Sequence, residues 1–100
     1  MSGSDSTSEQ MREERVRIRN RMGMHARPAA AFVKLAGRYR SEITLSRDGV
    51  DVNGKSIMGV LMLAAEQGAE LRIRGVGEDA DAAVEALTAL VASGFGEEMG

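Results

Sequence analysis

Two stretches of the chain alternate between charged and apolar residues, and they constrain the fold more than any other feature. One is "RVRIRN" at residues 15–20, and the other is "ELRIR" at residues 70–74. Alternation with a period of two is typical of a strand that buries one face and exposes the other. We therefore expect Val16 and Ile18 to face inward, in a mainly antiparallel sheet that helices cover on one face.

Helical patterns lie between and after these two strands. In the segment at residues 26–39, Gly37 is suited to end a helix. The residues that share one face of this helix are Ala29, Phe32, Val33 and Ala36. The last helical pattern, at residues 78–93, begins with acidic residues, which the helix dipole favours there. Its apolar stripe consists of Ala80, Ala83, Val84, Leu87, Leu90 and Val91.

The middle of the chain predicts a hairpin followed by a short helix. "EITLS" at residues 42–46 reads as a strand, "RDG" as a tight turn, and "VDV" at residues 50–52 as a short returning strand. Ser56 then suits the N-cap of a helix of about two turns. The element order is β-α-β-β-α-β-α, which indicates an α+β fold. Its first six elements also describe a ferredoxin-like split βαβ, so the element order does not settle the strand order.

Composition and charge exclude several classes of function. The chain has no cysteine and one histidine, so disulfides, thiol nucleophiles and cysteine-ligated zinc are ruled out. A metal would have to be bound by carboxylates almost alone, and we expect no metal or other cofactor. The net charge is −2 with both signs interspersed, which is unlike the basic stripe of a nucleic-acid-binding protein.

The length of 100 residues suits a single domain. The Ser-rich beginning, "MSGSDSTSEQ", is polar, and we predict a disordered tail over residues 1–11 and one domain over residues 12–100. The start of the chain lacks the pattern of a secretory signal. The longest apolar run, residues 57–65, is too short to span a bilayer. We therefore expect a cytoplasmic protein without membrane insertion.

Two glycine-rich stretches match nucleotide-binding motifs by their letters only. Residues 49–56, "GVDVNGKS", fit the P-loop pattern, yet the alternation of "VDV" is that of a strand, and Asp51 would repel a triphosphate. The single later strand also offers no aspartate to hold magnesium. Residues 75–80, "GVGEDA", fit a dinucleotide-binding pattern, but Glu78 and Asp79 would repel a pyrophosphate. A small nucleotide-binding domain is therefore the weakest of the alternatives.

The stretch "GMHARPAAAF" at residues 23–32 contains the only histidine and the only proline of the chain. Pro28 fits the first turn of a helix, which places His25 at or next to the N-cap. The N–H groups of a helix N-terminus suit an anion, and Arg27 can reach the same oxygen atoms. Gly23 permits a sharp approach from the strand. A capping or surface role for His25 is one interpretation, and a nucleophilic imidazole that transiently carries phosphate is the other.

Three stretches resemble the HPr family, the histidine-containing phosphocarrier proteins of the bacterial phosphoenolpyruvate-dependent phosphotransferase system. They are "GMHARPAAAFVKLA", "VNGKSIMGVLMLAA" and the final "GEDADAAVEAL…GFGEE". The resemblance implies an open-faced β-sandwich, with the strands in the order 1-4-2-3 and three helices on one face. It implies that His25 accepts phosphate from phosphorylated enzyme I, through the ring nitrogen nearer the backbone, and passes it to an enzyme IIA domain. Arg27 would stabilise the phosphohistidine.

The helix that begins after Ser56 is apolar all round, so one of its faces is expected to stay exposed. A helical wheel turns Val60, Leu63 and Ala64 inward. The family docks its partners with this helix and the histidine region, and the expected partner-binding residues are Met24, Ile57, Met58, Leu61 and Met62. In relatives with an HPr kinase/phosphorylase the serine matching Ser56 is phosphorylated for regulation, although the capping role alone would explain a serine here.

Two readings of the carrier remain open. In the first, the chain is a monomeric phosphocarrier that acts with enzyme I and enzyme IIA and is not a stand-alone enzyme. In the second, it is a purely regulatory relative, for example in a nitrogen-type branch, which binds targets in one phosphorylation state. The sequence does not indicate which sugar, if any, depends on the relay.

Overall fold

The structure is a computed structural model that describes residues 10–99. The helices and strands follow the predicted order, and a short 3-10 turn, Gly94–Gly96, comes after the last helix. Their bounds are β1 Met11–Arg17, α1 Ala26–Ala36, β2 Glu42–Arg47, β3 Val50–Asn53, α2 Ile57–Met62, β4 Glu70–Val76 and α3 Ala80–Ala92.

The N-terminal boundary differs from the expected one by a residue. The composition places Met11 in the tail, but in the structure it begins β1 and pairs with Val76 of β4. The ladder therefore starts before Arg12, because β4 is long enough to pair with the additional residue. Gln10 is exposed, and its carbonyl oxygen accepts a hydrogen bond from the N–H of Gly77 at 2.8 Å. Residues 1–9 of the predicted tail lie outside the described residues.

The four strands form one antiparallel sheet in the order β1-β4-β2-β3, and the predicted α+β fold is confirmed. β4 lies between β1 and β2, with Leu71 opposite Val16 and Ile73 opposite Leu45. β4, the last strand along the chain, is thus an interior strand of the sheet and pairs directly with β1, the first.

The core lies between one face of this sheet and the helices. Phe32 of α1 is fully buried, and the alternating residues Leu45 and Ile73 of the central strands are buried beneath it. Ile18 is buried as predicted, and Val16 is partly buried. Every residue of the two predicted helical stripes is buried except Val33 and Leu90, which lie at the stripe edges and are half-buried.

Close approach between α3 and β4 depends on a glycine in the strand. A Cβ on Gly75 would lie 2.9 Å from Cγ2 of Val84. Side chains of alanine and valine on α3 then suffice to fill the space, so few aromatic residues are needed. The opposite face of the sheet carries exposed charged residues such as Glu13, Arg15 and Arg74.

One inward prediction for the second helix is wrong. Val60 and Leu63 are buried, but Ala64 is exposed and has a φ of 49°. The helical period does not apply to Ala64, because α2 ends at Met62 and Ala64 belongs to the turn that follows.

Candidate functional site

The turn between β1 and α1 is fixed by contacts that require particular residues. Gly23 has a φ of +71°, and a Cβ on it would lie 2.6 Å from the carbonyl oxygen of Ala65, so only glycine fits. The buried Asn20 donates from Nδ2 to the carbonyl oxygen of Gly23 at 2.8 Å. The N–H of Met24 donates to the carbonyl oxygen of Ala65, also at 2.8 Å. These bonds deliver the chain to the start of α1 in one conformation.

His25 is the N-cap residue of α1, as predicted, but its ring does not cap the helix. Its backbone is extended, with a φ of −84° and a ψ of −168°, and the side chain makes no capping hydrogen bond. Pro28 is buried in the first turn, which contains no acidic residue. Within residues 10–99, no acceptor is recorded for the N–H groups of Ala26 and Arg27. The helix start therefore offers donors and partial positive charge to an anion.

Arg27 adds a full positive charge beside these N–H groups. Its side chain is exposed, and within the described part of the chain it forms neither an ion pair nor a side-chain hydrogen bond. Together with His25 and Met22 it lines a shallow surface depression. An arginine without an internal partner can use its planar guanidinium for a phosphoryl group.

Glu97 is the residue of this site that reading the sequence missed. Its Oε1 lies 3.0 Å from Nε2 of His25, although the two residues are 72 positions apart. The same Oε1 accepts a hydrogen bond from Nδ2 of Asn20 at 3.0 Å. The hydrogen bond from His25, with the one from Asn20 and the charge of Arg27, holds the pKa of Glu97 below its ordinary value against the effect of desolvation.

No carboxylate lies close to His25 along the sequence, and the fold brings Glu97 to it from the C-terminal segment. In the fold, the turn Gly94–Gly96 reverses the chain after α3, and all three of its residues have a positive φ. Phe95 packs against the core, and the N–H of Arg21 donates to the carbonyl oxygen of Glu98 at 2.8 Å. One sequence signal could have indicated that the chain turns back here. It is an apolar residue between two glycines after the last helix, followed by two acidic residues.

The residues predicted to bind partners separate into two groups. Ile57, Met58 and Met62 are exposed, at 45%, 71% and 76%. Leu61 is half-buried against the core, and Met24 is only 4% exposed, so Met24 does not belong to this exposed surface. Its place is inside because the turn at Gly23 directs it under the helices.

Met22 is a further exposed apolar residue, at 70%, and it lies in the depression beside His25. No periodic pattern marks it, so only its position three residues before the histidine could have indicated it.

Ser56 caps α2 as predicted. It is half-buried, and its Oγ accepts a hydrogen bond from the N–H of Gly59 at 3.1 Å. Three residues after α2 ends, Ala65 accepts the bond from Met24 described above, so the helix and the histidine turn are directly connected.

The two nucleotide-binding motifs are occupied by other structure. Val50–Asn53 of the P-loop match forms β3, paired with β2, and is not a phosphate-binding loop. In the other match, the carboxylate of Asp79 accepts hydrogen bonds from the N–H of Arg40, at 2.9 Å, and from the N–H and hydroxyl of Ser41. Its negative charge thus stabilises the loop that precedes β2.

An open antiparallel sheet with helices on one face, and a single histidine at the uncapped start of the first helix, define a small open-faced α+β domain with a site that suits an anion. A family model described as "PTS HPr component phosphorylation site" matches residues 12–93. The chain belongs to this family, the HPr phosphocarriers of the phosphotransferase system.

Proteins named HPr match more than four fifths of the chain. The HPr of Xylella fastidiosa strain Temecula1 is 43% identical over 88 residues, which are 88% of this chain and 99% of that protein. The HPr of Treponema pallidum is 49% identical and covers 83% of this chain and 94% of its own. A crystal structure of HPr from Thermoanaerobacter tengcongensis has a TM-score of 0.84 at 42% identity, covering 87% of this chain and 98% of that chain.

Two further similarities bear on the open alternatives. The phosphocarrier protein NPr of Proteus mirabilis is 42% identical over 84% of this chain and 94% of its own length. A second Thermoanaerobacter tengcongensis structure, described as an HPr dimer, has a TM-score of 0.70 at 43% identity and covers 82% of this chain and 94% of its own. The expected monomer therefore stays a prediction. Within the described residues, no helix is long and apolar enough to cross a membrane.

Proposed function

We propose that His25 is the phosphoryl acceptor and that its Nδ1 atom is the nucleophile. The observation that carries the proposal is the pairing of Nε2 with Glu97, which leaves Nδ1 as the ring nitrogen with no recorded partner among residues 10–99. Nδ1 is also the nitrogen nearer the backbone of the same residue. A phosphoryl group on it would lie close to the unpaired N–H groups at the start of α1.

The donor would be phosphorylated enzyme I, and the next acceptor a histidine of an enzyme IIA domain. The Nδ1 lone pair attacks phosphorus while the donor's bond to phosphorus breaks, and its electron pair stays with the donor. Arg27 and the first-turn N–H groups stabilise the negative oxygen atoms. Both partners belong to the phosphotransferase system, and we expect the relay to work in the cytoplasm.

The test is the mass of the intact protein after incubation with phosphoenolpyruvate and enzyme I. We expect the gain of one phosphoryl group, lost in mild acid, and no gain in His25→Ala. An adduct that persists in the alanine variant would overturn the assignment of His25.

The exposed side chains of Ile57, Met58 and Met62 would dock both partners, with Leu61 at the edge of their surface. Three large apolar side chains on a single short helix form the kind of patch that partner proteins cover. We expect Met58→Glu to weaken transfer to and from His25 without unfolding the protein, because this side chain is 71% exposed. Unchanged transfer in this variant would contradict the docking role.

Ser56 would be a regulatory phosphorylation site for an HPr kinase/phosphorylase. A phosphate there is compatible with the start of α2, yet it would place negative charge next to the exposed Ile57 and Met58. Docking of enzyme I should then weaken while the helix remains. Incubation with such a kinase and ATP, followed by mapping of the modified residue, tests this, and Ser56→Ala is the control.

A nitrogen-type regulatory branch is the second candidate, and the similarity to NPr favours it. The two candidates share the chemistry of His25 and differ in the acceptor. Transfer from the phosphorylated protein to a sugar-type and a nitrogen-type enzyme IIA, measured side by side, would separate them by rate.

A further inference from the structure

We propose that Glu97 is a positioning residue for phosphoryl transfer, which keeps a proton on Nε2 of His25 and so leaves Nδ1 as the nucleophile. This inference rests on the function proposed above. It extends that function to the C-terminal segment, in which no predicted site residue lies.

The hydrogen-bond geometry determines where the proton lies. A carboxylate only accepts, so at 3.0 Å from Oε1 of Glu97 the Nε2 atom must donate. A neutral imidazole carries a single N–H, and the other nitrogen then keeps its lone pair. In the neutral ring, contact with Glu97 therefore selects the tautomer that can attack through Nδ1.

The carboxylate is held in place by contacts on both sides. The Glu97 side chain is 16% exposed, and the fully buried Asn20 donates from Nδ2 both to it and to the carbonyl oxygen of Gly23. The next two residues are also held, because the carbonyl oxygens of Glu98 and Met99 accept hydrogen bonds from Arg21 and Gln67. Asn20 thus connects the carboxylate to the turn that delivers the histidine.

The same proton matters after the phosphoryl group has arrived. Attack by Nδ1 gives a ring with phosphorus on one nitrogen and hydrogen on the other, formally a cation beside the Glu97 carboxylate. In the onward step the acceptor attacks phosphorus, and the electron pair of the Nδ1–P bond returns to the ring. His25 leaves as the neutral Nε2–H tautomer from which it started, so no proton has to be exchanged with solvent in either step.

Loss of the Nε2 proton from the phosphorylated ring would make the leaving group an imidazole anion, which leaves far less readily. Glu97 opposes that loss by its charge. The other charged groups that line the same depression are Arg27 in α1 and the pair of Arg21 and Glu98, whose Nη1 and Oε1 are 3.8 Å apart. Of these groups, Glu97 is the one that hydrogen-bonds to the imidazole.

The first experiment reads the tautomer directly from the ¹⁵N chemical shifts of the His25 ring in the unphosphorylated protein. At a pH where the ring is neutral, we expect the Nε2–H tautomer in the wild type and a mixture of both tautomers in Glu97→Ala. Glu97→Gln should retain much of the wild-type tautomer, because its amide oxygen still accepts. Glu98→Gln is the matched control and should match the wild type.

The second experiment measures the rate of transfer from the phosphorylated protein to an enzyme IIA domain against pH. We expect transfer from Glu97→Ala and Glu97→Gln to be about tenfold slower at neutral pH. As the pH is raised and the Nε2 proton of the phosphorylated ring is lost, the rate of both variants should begin to fall at a lower pH than that of the wild type. A purely structural role would slow transfer equally at every pH. Amide spectra of each variant establish that it is folded.

Three results would overturn the inference. They are an unchanged tautomer in Glu97→Ala, an unchanged pH profile in both Glu97 variants, and a wild-type adduct on Nε2. In the last case His25 would still be the phosphoryl carrier of the proposed function, but the assignment of its Nδ1 atom as the nucleophile would fail together with the inference. If the wild type takes up no phosphoryl group at all, the proposed function fails, and the tautomer measurement still decides the role of Glu97 in orienting the ring.

Discussion

The starts of α1 and α2 solve the same local problem in opposite ways. Each helix begins with N–H groups that have no partner within the helix. At α2 the hydroxyl of Ser56 accepts the N–H of Gly59 and closes the helix start from within. At α1 the His25 side chain turns away to Glu97 and leaves the donors of the first turn uncapped.

The difference separates a helix start that its own side chain closes from one whose donors are left uncapped, where the proposed function places the phosphoryl group. The basic residues beside the two helix starts follow the same division. Lys55 precedes α2, and its Nζ donates to the carbonyl oxygen of Tyr39 at 2.7 Å. Arg27 at α1 has no such internal partner among the described residues. The contrast predicts that changes at α1 alter transfer, and that changes at α2 alter stability or docking.

The largest effect is expected from giving α1 the capping residue of α2. His25→Ser supplies a hydroxyl that can cap the helix, but it removes the imidazole, so the acid-labile phosphoryl adduct should be abolished. Ser56→Ala should still form the adduct. Intact-mass measurement after incubation with phosphoenolpyruvate and enzyme I distinguishes the two variants. A normal adduct in His25→Ser would mean that the imidazole at the start of α1 is not the phosphoryl acceptor.

The next effect in size is that of the unpaired arginine. Arg27→Ala should slow phosphoryl transfer about ten- to a hundredfold, since a hydrogen bond to a charged group contributes about 1.5–3 kcal/mol. Its stability should change by less than about 0.5 kcal/mol, because the side chain is exposed and makes no internal bond. Rapid-quench kinetics and urea unfolding measure the two quantities. Arg27→Lys is the control, and equal rates in all three proteins would remove the role of Arg27.

The third effect is on stability and belongs to α2. Ser56→Ala removes the capping bond to Gly59 and should lower the free energy of unfolding by about 1 kcal/mol. Ser56→Asp should stay within about 0.5 kcal/mol of the wild type, because aspartate caps a helix as well as serine does. Urea unfolding at neutral pH tests both variants. If alanine and aspartate destabilise equally, the hydroxyl is not what holds this helix start.

Most of the fold could be predicted from local patterns. The alternation in "RVRIRN" and "ELRIR" and the apolar stripes of α1 and α3 correspond to the observed elements, because burial on one face imposes those periods. Gly23, Pro28 and Ser56 were predictable because their roles depend on backbone geometry within a few residues. The strand order was not, since it depends on contacts between distant segments, and only the resemblance to a known family supplied it.

Glu97 is the site residue that local sequence patterns do not indicate. Its contact with His25 is set by the turn at Gly94–Gly96 and by Asn20. Asn20 is close to the histidine along the chain, but the turn is far from it. Met24 and Ala64 also differ from their predictions, at or next to a positive φ. The prediction for Ala64 extended a helical period past the end of α2, where it gives no information about side-chain direction. The prediction for Met24 came from the family resemblance, which did not show that the turn at Gly23 buries this side chain.

The start of α3 extends the comparison and predicts the smallest effect, which depends on pH. Asp79 occupies the N-cap position, yet its carboxylate makes no capping bond and accepts from Ser41 and Arg40 instead. The hydroxyl of Ser41, followed by the N–H of Arg40, lowers the pKa of Asp79 from its ordinary value. A carboxyl group whose pKa is lower in the folded state stabilises the fold above its unfolded pKa, about 3.9 for aspartate, and loses that contribution as the pH falls through the folded value.

Asp79→Asn should therefore be less stable than the wild type at pH 7, and the difference should shrink below about pH 4, where the wild-type carboxyl becomes protonated. Urea unfolding at both pH values measures this. The control is Asp81→Asn, whose exposed carboxylate is 3.7 Å from Nη1 of Arg12 and should matter little at either pH. A difference between Asp79→Asn and the wild type that stays constant with pH would mean that the shape of the side chain, and not its charge, stabilises the loop before β2.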